Sequence, residues 1–194
     1  VAMRIGKRCN AECCNIKLSS GEIKWQFEVK YLGVLFTKSN YLKINMHPNK
    51  VKFFRSFNSI YAKIGSTSSV DTIIHLMKSN CVSMLLYNLE ALYLTKSDVN
   101  YLKFPMHRAF MKIFHVKSKT NVSWCQYVMH CLPIEYVIEV RKFKYLKKLS
   151  TSDCFLLQHV YAMVAKNQVD AICDKFNVNA NVSYSKLLYV VWSK

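Results

Sequence analysis

The sequence predicts an α+β chain, mostly α. A small antiparallel β-sheet or hairpin stands at the N-terminus, followed by a helical bundle and further C-terminal helices. Three observations lead there. Before Pro48, Ile23, Trp25 and Phe27 alternate with Lys24, Gln26 and Glu28, the period of a half-buried strand. After Pro48, apolar residues recur every three or four positions, the period of helices. The 194 residues include only 4 Gly and 3 Pro, so turns are few and elements long.

Taken in order, Ser19-Ser20-Gly21-Glu22 is a turn signal between two β-like runs. The second run leads into Val29–Phe36, which contains Lys30-Tyr31-Leu32-Gly33-Val34-Leu35-Phe36. A glycine inside an apolar strand marks a bulge or a place where another backbone or a ligand comes close. The first helix is expected over Val51–Ile64, with Val51, Phe54, Phe57, Ile60, Tyr61 and Ile64 apolar and Lys52, Arg55, Ser59 and Lys63 on another face. Gly65 and the Ser/Thr cluster after it end that helix. Asp71 supplies an N-terminal charge or cap for a helix from Thr72 to about Tyr87, with Ile73, Ile74, Met77, Cys81, Met84 and Leu85 as its buried stripe. A third helix starts at Ser97-Asp98 and runs through Leu102, Met106, Phe110 and Ile113. Pro105 inside it predicts a kink or a late start. Ser123–Met129 reads as a short helix, Pro133 to about Leu149 as a longer one, and Cys154–Lys166 as another behind Ser152-Asp153. The last twenty residues carry the weakest pattern.

Twenty-eight Lys and Arg oppose 11 Asp and Glu, a formal +17. An excess of this size points to a polyanionic partner, nucleic acid first. Arg4, Lys7 and Arg8 are followed by no apolar segment of the kind a signal peptide has, and no run of 18 apolar residues occurs. The chain is therefore expected to be intracellular, in nucleus or cytoplasm, with no membrane partner and no secretion. The eight cysteines are unpatterned and read as free thiols in apolar surroundings.

Catalytic patterns are weak. No two aspartates are adjacent, and Asp170 and Asp174, one helical turn apart, read as a solvated face. Cys9, Cys13 and Cys14, or Cys125, His130 and Cys131 with His115, lack the two tight pairs that structural zinc requires. No Gly-x-Ser-x-Gly or phosphate loop occurs. No catalytic residue and no metal ligand is assigned. Basic segments are the better signal. Lys52, Arg55, Ser59 and Lys63 form a narrow stripe suited to a phosphate backbone. Arg141, Lys142 and Lys144 lie in a run of five charges in eight residues that spreads around its helix and serves equally as a solvated face.

The order of several segments resembles non-LTR retrotransposon reverse transcriptases. They are MRIGKR (Met3–Arg8), Cys14 and Ile16, GEIKW (Gly21–Trp25), KYLGVLF (Lys30–Phe36), FNSIYAKIGS (Phe57–Ser66), LLYNLEAL (Leu85–Leu92), AFMKIFHVKS (Ala109–Ser118) and CQYVMHCLPIEYVIEVRKFKYLKKL (Cys125–Leu149). The similarity covers about residues 1 to 150. It implies an end-of-palm β element with a primer-grip hairpin at 1–40, a thumb-like helical bundle at 41–118 and a C-terminal helical extension at 119–194. Tyr31, Leu32 and Gly33 would then press on the primer near its 3′ end, and the first thumb helix would lie along the template–primer duplex.

The chain departs from the family's pattern in two ways. The aromatic-x-Asp-Asp loop that holds Mg²⁺ in such polymerases is absent, and Asn88 stands where the family has Gly. The resemblance thus implies a piece downstream of the active site, either part of a longer reading frame or the remnant of a decayed element, inactive alone and needing no cofactor itself. Its partners would be an RNA/DNA template–primer duplex and the fingers and palm of a parent polyprotein. Two other readings stay open: a stand-alone basic helical module binding RNA or DNA, and a structural or interaction domain whose charge keeps it soluble.

Overall fold

The computed structural model describes residues 1–19, 21–65, 67–179 and 181–193. The fold is α+β and mostly α, with two small antiparallel sheets followed by helices. Two compact units are present, Val1–Lys52 and Phe53–Lys194. The division falls between Lys52 and Phe53, inside the first helix.

In the N-terminal unit, β1 (Ile16–Leu18) pairs antiparallel with β2 (Gly21–Ile23), Ile16 opposite Ile23. The ladder stops at Ile23, short of the run expected to continue to Phe27. Trp25 makes an isolated parallel bridge to Ala2, and Phe27 is exposed. A second sheet of order β3-β4-β5 follows, made of Glu28–Tyr31, Val34–Thr37 and Lys43–Ile44.

Gly33 lies in no strand. Tyr31 pairs with Val34, so Leu32 and Gly33 are the two-residue turn between β3 and β4, with φ of 47° and 81°. Positive φ at both central positions is the pattern of a type I′ hairpin turn, whose twist matches that of the strands it joins. The reading of Gly33 as a mid-strand bulge is corrected: the turn requires the glycine.

Helix α1 runs His47–Ile64, four residues earlier than expected. Pro48 fits its first turn, where the missing N–H costs no helix bond. Asn45 Oδ1 accepts from the His47 backbone N–H at 2.9 Å. Asn49, Phe53 and Phe57 are buried on it; Phe54, Ile60, Tyr61 and Ile64 are half-buried, and Val51 is exposed. At Gly65 the chain leaves the helix with its N–H on the Tyr61 carbonyl, 2.8 Å away. A Cβ there would sit 2.4 Å from that oxygen, so no other residue fits unmoved.

Helix α2 (Val70–Leu76) continues through a π turn, Met77–Cys81, into α3 (Val82–Leu85). Its side-chain cap is Ser69, whose Oγ accepts from the Thr72 N–H, and Asp71 only adds charge to the first turn. The π turn inserts one residue and rotates the face beyond it by about 100°. Val82 and Leu86 are therefore buried and Met84 is exposed, contrary to a continuous 3.6 period.

Helix α4 (Lys96–Phe114) begins at Lys96 and passes through Pro105 without interruption, so no late start occurs. Leu102, Met106, Phe110 and Ile113 are buried on it as expected. α5 (Lys119–Val128) begins behind the Ser118 cap, earlier than the short helix expected. Lys78 Nζ donates to the carbonyls of Met129 and His130 just beyond its end, at 3.4 and 2.9 Å. α6 (Ile134–Ser150) follows Pro133.

α7 (Phe155–Val160), a π turn (Tyr161–Ala165) and α8 (Lys166–Phe176) form one longer helical stretch; its first part leaves Phe155, Leu156 and Met163 exposed. α9 (Tyr184–Trp192) is a helix where the sequence pattern was weakest. Leu187 and Val191 of α9 join Val140, Phe143 and Leu146 of α6 and Val169, Cys173 and Phe176 of α8 in one core. All eight cysteines are free thiols. Cys9, Cys81, Cys131 and Cys173 are buried, but Cys13, Cys14 and Cys154 are exposed rather than in apolar surroundings.

Candidate nucleic-acid interface

The stripe on α1 follows from helix geometry. At 100° per residue, Lys52, Arg55, Ser59 and Lys63 fall within an arc of about 80° and extend about 16 Å along the axis. All four are exposed, while Phe53 and Phe57 point the other way into the interior. Among the described residues, Lys52, Arg55 and Lys63 take part in none of the ion pairs. No acidic residue occurs in the sequence between Glu28 and Asp71, so α1 itself carries basic charges and no acidic ones.

Helix α4 adds two bases that the sequence reading did not place here. Phe54, Phe57 and Asn58 of α1 and Arg108, Met111 and Lys112 of α4 line a groove of about 390 Å³. Lys112 Nζ donates to Asn58 Oδ1 at 3.1 Å and sits 4.8 Å from the Tyr61 ring centre. Tyr61 Oη donates in turn to the Lys112 carbonyl at 3.3 Å. Arg108 is exposed beside them. The available signal was compositional: no acidic residue lies between Asp98 and Glu135. Only packing brings that stretch against α1.

In the N-terminal unit, the hairpin tip presents Tyr31, Leu32 and Gly33 to solvent; Leu32 is 71% exposed. Its φ of 47° costs a leucine roughly 1–2 kcal/mol relative to ordinary backbone. An exposed apolar side chain at a strained tip is explained neither by burial nor by turn preference.

Arg141, Lys142 and Lys144 are not brought together as a phosphate grip. Arg141 reaches Glu90 at 3.7 Å. Lys142 is half-buried, donates to the Leu92 carbonyl at 3.4 Å, and has its ammonium pKa pushed down by desolvation. Lys144 lies 4.9 Å from the Tyr184 ring centre. Lys103 pairs with Glu135 at 2.7 Å and Lys175 with Glu139 at 2.5 Å.

Burial, with Lys103 adding to it, lowers the pKa of His107 against a smaller opposite effect of Glu135. Among the described residues no group of three or more His, Cys, Asp or Glu converges to hold a metal ion, and no helix is long and apolar enough to cross a membrane. Comparison with family models, with curated proteins and with solved structures returns no match.

Proposed function

We propose that this chain holds a nucleic-acid duplex without catalysing chemistry on it, as the thumb and primer grip of a non-LTR retrotransposon reverse transcriptase would. The observation that carries this reading is the exposed α1 face of Lys52, Arg55, Ser59 and Lys63, in a stretch without acidic residues. Such a face meets phosphates and gains affinity by releasing their counterions, with little dependence on sequence. Two further features support the family reading. The Tyr31-Leu32-Gly33 tip is exposed, and Asn88, at the position where the family has Gly, has φ 59°. That backbone region favours Gly and tolerates Asn. The missing fingers, palm and Mg²⁺-binding aspartates belong to the parent polyprotein in this reading.

The test replaces Lys52, Arg55 and Lys63 by Ala together. Exposed charges contribute about 1 kcal/mol or less each, so folding stays nearly unchanged. Duplex affinity falls, and the salt slope flattens by about 2–3 units, one counterion contribution per lost contact. Phe57→Ala does the reverse: it opens a cavity and costs about 3–5 kcal/mol of stability. Thermal melts and salt-titrated binding to an RNA/DNA hybrid check both variants. Parent-like binding by the triple variant removes α1 from the interface and the reading with it.

A further inference from the structure

The N-terminal unit contains a second feature suited to nucleic acid, apart from α1. Arg4, Glu12, Trp25, Gln26, Phe27 and Lys38 help to line a cleft of about 460 Å³. That volume is in the range of small-ligand sites. Its aromatic walls differ in how they are held. Trp25 is half-buried, and its Nε1 donates to the Cys14 carbonyl at 3.0 Å, which fixes the indole. Phe27 is 75% exposed, a large apolar ring kept at the surface.

Each ring carries a cation. Lys38 Nζ is 4.7 Å from the Phe27 ring centre, and the Arg4 guanidinium carbon is 6.0 Å from the Trp25 ring centre. Arg4 also donates to the carbonyls of Arg8 and Ala11 at 3.3 and 3.4 Å, so its position is set by the loop.

We propose that this cleft takes one unpaired nucleotide of a single strand, base first, against Trp25 and Phe27. Flat rings that stack on a base, with cations for its phosphate, are how proteins hold single strands without reading sequence. Charge complementarity favours this occupant. Glu12, Glu22 and Glu28 are the only acidic residues up to Lys52, against Arg4, Lys7, Arg8 and further lysines. Glu12 on the cleft wall repels a phosphate and accepts from the amino edge of a base, which sets the orientation. A duplex keeps its bases stacked and cannot enter. Resting on the reading of the chain as a nucleic-acid binder, the inference nevertheless concerns other residues and another form of ligand.

The test uses the whole chain with two probes of equal length, a labelled deoxyadenosine single strand and a blunt duplex. Phe27→Ala leaves the melting temperature near the parent's, because the ring is exposed. It weakens single-strand binding about tenfold, the size of one lost stack, and leaves duplex binding unchanged. Phe27→Tyr restores the single-strand affinity, since stacking needs only the ring. Parent-like single-strand binding by Phe27→Ala overturns the proposal, as does an equal loss for both probes or no single-strand binding by the parent. The Lys52, Arg55 and Lys63 variant separates the two claims: unchanged duplex binding there refutes the α1 interface and leaves the Phe27 result standing.

Discussion

Leu32 keeps a left-handed backbone that asparagine adopts more readily, and its side chain is exposed. Leu32→Asn should raise stability by about 1 kcal/mol, because Asn-Gly is the preferred pair for a type I′ turn. The same change should weaken duplex binding if the leucine touches the primer. A denaturation midpoint and a binding isotherm on one variant read both effects, and a loss of stability would contradict the turn assignment.

His107 gives a pH dependence of definite sign. Its folded pKa lies below the ordinary 6.5, chiefly through burial, so the unfolded chain binds the extra proton more readily. Stability therefore falls as pH drops through 6.5 and levels off below the folded pKa. His107→Gln should lose less stability than the parent between pH 7.5 and pH 5. Urea midpoints at the two values measure this, and equal losses would count against a desolvated His107.

Helix ends and helix phase matter at the next scale. Thr95 and Asp98 form a reciprocal cap on α4. The Asp98 N–H donates to Thr95 Oγ1 at 3.2 Å, and the Thr95 N–H donates to Asp98 Oδ2 at 3.0 Å. Thr95 Oγ1 also donates to Asp98 Oδ2 at 2.7 Å. Thr95→Ala should cost about 1 kcal/mol. The Thr95→Ala/Asp98→Ala double variant should lose less than the two single losses combined, because the residues share one network. A double-mutant cycle by chemical denaturation gives the coupling, and strict additivity would show that the cap does not act as a unit.

The strong cap also bears on Pro105. Proline removes one N–H from the helix interior, but the 19-residue α4 buries Leu102, Met106 and Phe110 around it. Packing on that scale outweighs the local penalty, which is why a late start inferred from Pro105 alone does not occur. In α2 and α3 the π turn had no such local marker. It moved Met84 out and Val82 in by inserting one residue into the phase.

Over the whole molecule, 28 bases against 11 acids leave a formal net charge of +17. Duplex affinity should fall linearly with salt on logarithmic axes, with a slope of about −3 or steeper, as three or more phosphate contacts require. Titrations from low to physiological salt measure it, and a flat curve would exclude an electrostatic interface.

Of the fold, the β-then-α order and most helices were legible in the sequence, and so was the basic face of α1. Each depends on a periodicity within one element: Lys52, Arg55, Ser59 and Lys63 share a face by helix geometry alone. The residue pattern marked Gly33 as special and the resemblance put it in a hairpin, but the pattern alone did not give the turn, because Leu-Gly lacks the Asn-Gly signal and the pairing of Tyr31 with Val34 is what locates it. Arg141 and Lys142 read as exposed bases until Glu90 and the Leu92 carbonyl, about fifty positions away, are seen to hold them. Arg108 and Lys112 joined the α1 groove, and Leu187 and Val191 anchored α9, through the same kind of long-range contact. Local period by itself determined which side chains share a face. Only the tertiary structure decided which faces are buried and which charges are engaged, because desolvation and pairing depend on neighbours that the chain supplies from far along its length.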